Sequence, residues 1–378
     1  MNKTKKILAL ILALTMLVCM GGCASKPQTT PDDATDAQGT DYSDMKIGIM
    51  SNTTAQDGGW GSALYESVQK VKADLKLTDE QVIWVESIYD GTADVDNMID
   101  QLVSEGCKVI MAHSAGYVDQ LAAAAKKYPD VYFCGYECPV EGAENYAMYS
   151  INDQAASFIC GYVAARMSKG DQLGYIGNMP TSDLICCLDS FALGAKYANA
   201  SAKVQVIWIN SWYDPATEKQ AANTLLESGI NSVGYMGSTA SVAQACSEHG
   251  AFTTGMYIDM YEFGKDSVLT SHVFDWSLII TDIINRVAMG TWSTDPIIYG
   301  FTDGAARVAD FNKDIIPEDV IKDAQDLKAK LMSGEVKVFA GEISDNKGNV
   351  VVEEGKELSN KDLIYIDFLV DNVIGDIP

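Results

Sequence analysis

The chain of 378 residues predicts two α/β lobes with parallel sheets, and three observations carry the prediction. The first is a duplication: "VIWVESIYDG" begins at Val82 and "VIWINSWYDP" at Val206, and the likeness runs on until Ile83 pairs with Ile207, Trp84 with Trp208, Asp90 with Asp214 and Ser114 with Ser238. A period this long excludes solenoids and propellers, whose units are much shorter. The second is a shared grammar of apolar β-branched run, Asp-Gly or Asp-Pro turn, amphipathic stretch and further apolar run, which reads as βαβ units. The third is length, sufficient for two sizeable cores once a leader and a tail are set aside.

In chain order, the first lobe places strands near 46–51, 81–88, 107–113, 131–136 and 146–151, each an apolar run. Amphipathic helices fill 60–75, 94–105 and 117–127 between them. From Asp153 the cycle restarts, with a helix to about Met167, strands near 172–177, 203–209, 232–236 and 252–258, and helices between. Strands apolar on both faces and joined by crossover helices argue for parallel sheets covered on both sides. Residues 316–333 read as a late helix, and "EVKVFAGEISDNKGNVVVEEG" reads as a hairpin turning at Asn346–Asn349.

The leader combines positive charge in "MNKTKK", a short apolar run in "ILALILALTMLVCM" and small residues in "GGC", the features of an export signal over residues 1–22. "MGGC" resembles a bacterial lipobox with Met20 in place of the preferred Leu, which implies cleavage before Cys23 and lipidation of its thiol. An uncleaved anchor or simple secretion is the alternative. Residues 23–44 lack apolar periodicity and are expected to form a flexible tether. The net charge is −25, and loss of Lys3, Lys5 and Lys6 with the leader makes the remainder more acidic still. Such a surface argues against nucleic acid and anionic lipid as partners.

Nine cysteines suggest metal or disulfide chemistry, but Cys134 and Cys138, the adjacent Cys186 and Cys187, and the three histidines share no ligand spacing. Buried small hydrophobes are the plainer reading, with a Cys134–Cys138 bridge left open. No nucleophile elbow, phosphate-binding Gly-rich loop or His-Glu-x-x-His is present in the sequence. No cofactor or metal is expected.

In open α/β sheets ligands sit beyond the carboxyl ends of the strands. The loops there read "SNTTAQDGGWG", "HSAGY", "NSWYDP", "MGSTA", "YIDMYEFG" and "FDWS", rich in Trp, Tyr, Asp and Ser, the mixture that stacks and hydrogen-bonds a flat polar ring.

Four blocks, "KIGIMSNTTAQDGGWGSALYESVQK", "AASFICGYVAARMSKGDQLGYIGNMP", "SFALGAKYANASAKVQVIWINSWYDPATEKQAANTLLESGINSV" and "SVLTSHVFDW", together resemble the basic membrane protein family of ABC-transporter substrate-binding lipoproteins, its purine-binding group. The resemblance covers Lys46 to Pro378. It implies a type I periplasmic-binding-protein fold, two Rossmann-like lobes with parallel sheets joined by a multi-strand hinge. The lobes it implies are 45–150 plus 275–299 and 151–274 plus 300–378.

Carried over by resemblance, Asp57 and Trp60 of "DGGW" face the cleft, "HSAGYVD" offers Ser114 and Tyr117, "NSWYDP" offers Trp212, and Asp259 of "YIDM" stands at an acidic position linked to the ligand. "MGSTA" adds Gly237 and Ser238. Where nucleoside-binding members carry a lysine after "LTS", this chain has Val273 and Phe274 and then Asp275, which resembles the branch that binds bare purine bases. Plainer roles stand beside these: Trp60 and Trp212 as packing residues, and Asp57, Ser114, Ser238 and Asp275 as helix caps. Trp84 and Trp208, inside strands, read as core.

The expectation is therefore an extracytoplasmic solute receptor, lipid-anchored to the bacterial cell membrane and monomeric. It closes over a purine nucleobase or nucleoside, hands it to an ABC-transporter permease and performs no chemistry. A receptor of the same fold for a sugar or signalling molecule is the alternative, and a purine-nucleoside-processing enzyme a further one.

Overall fold

The computed structural model describes residues 40–378; the expected leader, Cys23 and most of the expected tether lie outside them. Among the described residues no helix is long and apolar enough to cross a membrane.

Two sheets organise the chain. The first contains β1 (Ile47–Ser51), β2 (Val82–Val85), β3 (Val109–His113), β4 (Tyr132–Tyr136), β5 (Tyr146–Asn152) and, from far along the chain, β11 (Ile297–Gly300). The second contains β6 (Gln172–Gly177), β7 (Lys203–Trp208), β8 (Ser232–Met236), β9 (Phe252–Tyr257), β10 (Val268–Phe274), β12 (Ala306–Val308) and β15 (Val373–Ile374). The strand orders β11-β5-β4-β3-β1-β2 and β12-β10-β9-β8-β6-β7-β15 share one core pattern, so the duplicated segments occupy corresponding strands, β2 and β7. All pairings in the first sheet are parallel, and in the second only β10 with β12 runs antiparallel. Strands β1, β3 and β8 are buried at every position, as crossover helices on both faces require.

The crossover helices are α1 (Trp60–Leu75), α2 (Ala93–Ser104), α3 (Val118–Lys127), α4 (Gln154–Met167), α5 (Ser182–Ala198), α6 (Pro215–Glu227), α7 (Ser241–His249) and α8 (Ser277–Ala288). The Asp214 carboxylate caps α6 by accepting from the Thr217 amide at 3.0 Å, with Pro215 in the first turn where its missing N–H costs nothing. Helices α4 and α5 cross at unusually close range. A Cβ on Gly161 would lie 1.9 Å from the Phe191 carbonyl oxygen, and one on Gly194 would lie 1.9 Å from that of Phe158. Each helix thus needs glycine where the other's backbone passes.

The chain passes from the first sheet to the second between β5 and α4, returns after β10 through α8 to β11, and leaves again between β11 and β12. These three crossings form the hinge. The late helix is α9 (Glu318–Ser333); α10 (Asn360–Leu363) is a single turn.

Several expectations shift. The tether is already anchored at its end, because the Tyr42 hydroxyl donates to Asn285 Oδ1 at 2.6 Å and its carbonyl accepts from the Gln81 amide. The hairpin keeps its turn, with the Asp345 carboxylate gathering the Lys347 and Asn349 amides, but its strands shrink to β13 (Ile343–Ser344) and β14 (Val350–Val352). Trp84 and Trp208 are half-buried rather than core residues, since β2 is an edge strand and β7 is covered on its outer side only by the two-residue β15. All seven described cysteines are buried and free, so the Cys134–Cys138 bridge is absent.

Candidate functional site

A cleft opens between the carboxyl ends of the two sheets. The first sheet supplies Trp60 from the start of α1, Tyr136 and Glu137 from the end of β4, and Ser150 and Ile151 from β5. The second supplies Asp183 from the first turn of α5, Met236, Met256 and Tyr257 from the ends of β8 and β9, and Phe274 from β10. Asp153, on the first crossing, lies between them.

Trp60 is held by its neighbours. Its ring stacks on His113 with centroids 4.0 Å apart and planes at 18°, while Tyr136, Tyr257 and Trp276 meet it edge-on at 4.9, 5.4 and 5.3 Å. His113 in turn places Nδ1 2.8 Å from the Tyr149 hydroxyl, and burial holds its pKa well below the ordinary value, so it is a neutral shelf. The helix that carries Trp60 is set by Asp57, whose carboxylate accepts the amides of Gly59, Gly61 and Ser62 at 2.8 to 3.0 Å. The Asp57 cap therefore fixes where the Trp60 ring lies.

Glu137, Asp153 and Asp183 give the cleft three carboxyl groups. Glu137 is pushed up to about 8, by burial first and then by Asp183, against a hydrogen bond from Ser150 Oγ at 2.7 Å. Asp153 is pushed up to about 7 by burial and by Asp183. Burial also raises Asp183, which accepts from the Tyr136 hydroxyl at 3.3 Å. Among the described side chains, no lysine or arginine lines the cleft. Glu137 (φ 48°) and Tyr257 (φ 69°) both hold the left-handed backbone that non-glycine residues avoid, at a cost of order 1–3 kcal/mol each. Both residues face the one cleft.

Asp153, Cys187 and His272 form a buried trio of metal-ligating types. Asp153 Oδ2 lies 3.4 Å from His272 Nε2, whereas Cys187 Sγ lies 3.9 Å from Nδ1 of the same ring. The partners face different ring nitrogens, whose lone pairs diverge, so the trio is not arranged around one ion. Burial lowers His272 to about 3, leaving it neutral beside Asp153.

Of the residues singled out from sequence, Trp60 lines this cleft and the others stand elsewhere. Ser114 caps a 3₁₀ turn, accepting from the Gly116 amide, and also accepts from Asn52 Nδ2 at 3.3 Å. Tyr117 is enclosed in the core, its hydroxyl donating to the Ile88 carbonyl. Trp212 is 46% exposed and is not among the residues lining this cleft; its carbonyl accepts from Asn178 Nδ2 at 3.1 Å. Gly237 packs on the Glu218 carboxylate. Asp259 is exposed and accepts from the Tyr261 amide at 3.0 Å. Asp275 caps α8 at Ser277 and pairs with Lys70 at 2.7 Å. Ser238 meets Gly59 so closely that a Cβ on the glycine would lie 2.5 Å from the serine Cα, which is where the loops of the two sheets touch.

Sequence reading passed over Tyr136, Glu137, Asp153, Asp183 and Tyr257. The signal was there for two of them: Tyr136 and Glu137 end a strand inside "CGYEC", a stretch in which the cysteines drew attention.

The model of the family described as ABC transporter substrate-binding protein, PnrA-like, matches residues 45–365. A purine-binding protein of Brucella abortus is 31% identical over 339 residues, covering 88% of this chain and 94% of its own. A putative ABC transporter glucose-binding protein of Haloferax volcanii is 24% identical, covering 85% and 78%. Among solved structures, a solute-binding protein of an ABC transporter system from Aeropyrum pernix superposes with a TM-score of 0.67 at 15% identity, covering 78% of this chain and 92% of its own. With its two lobes, hinge and interlobe cleft, the chain belongs to the PnrA-like family of ABC transporter substrate-binding proteins.

Proposed function

We propose that this substrate-binding protein captures a purine base between its lobes and delivers it to a permease, held at the outer face of the membrane by a lipid on Cys23. The observation that carries the reading is the Trp60 ring, fixed on His113 in a cleft whose other polar groups are three carboxyls, the hydroxyls of Tyr136, Ser150 and Tyr257, and the amides of Asn152 and Gln154. A planar base lies on such a ring, and its N–H edges meet acceptors. The purine-binding relative at 31% identity supports the same ligand class. Asp57 acts as a positioning residue for Trp60, and Ser238 closes against Gly59. The protein works as a monomer and closes rather than catalyses, biasing a hinge equilibrium toward the occupied form.

Calorimetry and thermal shift against purine bases, nucleosides and sugars test the reading. A base at about a hundred times its dissociation constant adds roughly 2.7 kcal/mol to stability. A glucose-binding relative favours a second reading, since aromatic floors and carboxylates also hold sugars. A shift with sugars and none with purines would establish that one instead. The anchor is tested separately: Cys23→Ala is expected to release the folded protein from membranes, and retention after a salt wash would overturn it.

A further inference from the structure

Among the described side chains, no cation stands beside the three cleft carboxyls. Glu137 comes from the first sheet, Asp183 from the second, and Asp153 from the crossing between them, so closure of the lobes gathers them around one space. Among the described side chains, the groups that face them are neutral on β4 (Tyr136), β9 (Tyr257), β10 (His272), α4 (Gln154) and α5 (Cys186 and Cys187), and the nearest further charge is the Asp57 carboxylate beside Tyr257. His272 is 2% exposed, and its Nε2, 3.4 Å from Asp153, has no hydrogen-bond partner. A recessed cleft with three acids and no cation among the described side chains is incomplete in itself.

Resting on the purine-base reading above, we infer that the missing partner is the ligand's own row of N–H donors. The cleft selects a purine edge with two adjacent donors, a ring N–H beside an exocyclic amino group as in a 2-amino-6-oxopurine, and releases protons when it closes. A carboxylate accepts both hydrogens of such an edge side by side. A 6-oxopurine without the amino group offers the ring N–H alone, with only a C–H beside it where the second acceptor oxygen waits. In the empty cleft burial disfavours ionisation of all three carboxyls, and the Asp183 charge adds to it at Glu137 and Asp153, so protons are retained there into the neutral range. Donors aimed at them reverse that preference, and the protons leave to solvent. Affinity therefore rises with pH through the neutral range.

The test is calorimetry of the full chain with guanine and with hypoxanthine, which differ by the one amino group, from pH 6 to about 8 in two buffers of different ionisation enthalpy. Guanine is expected to bind about ten- to a hundredfold more tightly. Its affinity should rise by up to about tenfold per pH unit for each proton released, with buffer-dependent heats reporting the release. Glu137→Gln should flatten the pH dependence and narrow the guanine preference; Asp183→Asn serves the same purpose should that variant fail to fold. Equal affinities, or heats independent of buffer, would overturn the inference while leaving purine binding intact. Absence of binding by any purine would overturn both.

Discussion

On the proposed reading, ligand affinity turns on Trp60. Stacking of a base on an aromatic ring is worth about 1–3 kcal/mol by alanine substitution, so Trp60→Ala is expected to weaken base binding by roughly ten- to a hundredfold in calorimetry. The same change removes the ring that covers His113, so the melting temperature falls as well. The carboxyls act in the opposite sense on the empty protein. Because their folded-state values are raised, to about 8 for Glu137 and about 7 for Asp153, the folded form binds more protons than the unfolded chain. Ligand-free stability is therefore greatest at acidic pH, near the ordinary carboxylate range, and declines as pH rises toward 8. Thermal melts from pH 5 to 8 should show that decline, and Glu137→Gln should reduce it. Trp60 was legible in the sequence because tryptophan is rare and falls just beyond a strand. The acids were not, since with 52 of them in the chain only burial separates a site carboxyl from a solvated one.

At the scale of elements, the long strands and crossover helices were legible because apolar runs and amphipathic stretches carry their own period. Helix α1 spans 60–75 as its pattern predicts. Strands β12 and β15 were not, being three and two residues long and defined by partners distant in sequence. The α4–α5 crossing was equally hidden, because a glycine in a helix looks like a weakness until the neighbouring backbone is seen. Gly-to-Ala in an exposed helix interior stabilises by about 1 kcal/mol. At Gly161 or Gly194 the sign reverses, as the added carbon would meet a carbonyl oxygen at 1.9 Å. Urea denaturation should show each alanine variant destabilised by several kcal/mol, in line with overpacked cores.

For the whole molecule, the meeting of Gly59 with Ser238 links shape to affinity. Gly59→Val places a branched side chain where even its first carbon would lie 2.5 Å from Ser238 Cα, so the lobes are held apart. Small-angle scattering should then give a larger radius of gyration, and base affinity should fall because the closed form is less populated. An unchanged radius together with unchanged affinity would show that closure does not depend on this contact. The return of residues 297–300 to the first sheet has a consequence in time. Strand β11 pairs with residues 149–152, so the first lobe lacks its edge strand until most of the chain has left the ribosome or the export channel. Until then β5 presents an unpaired, apolar edge, the kind that recruits other chains. The lobe made first is completed late, and protection of that edge during secretion falls to chaperones or to speed.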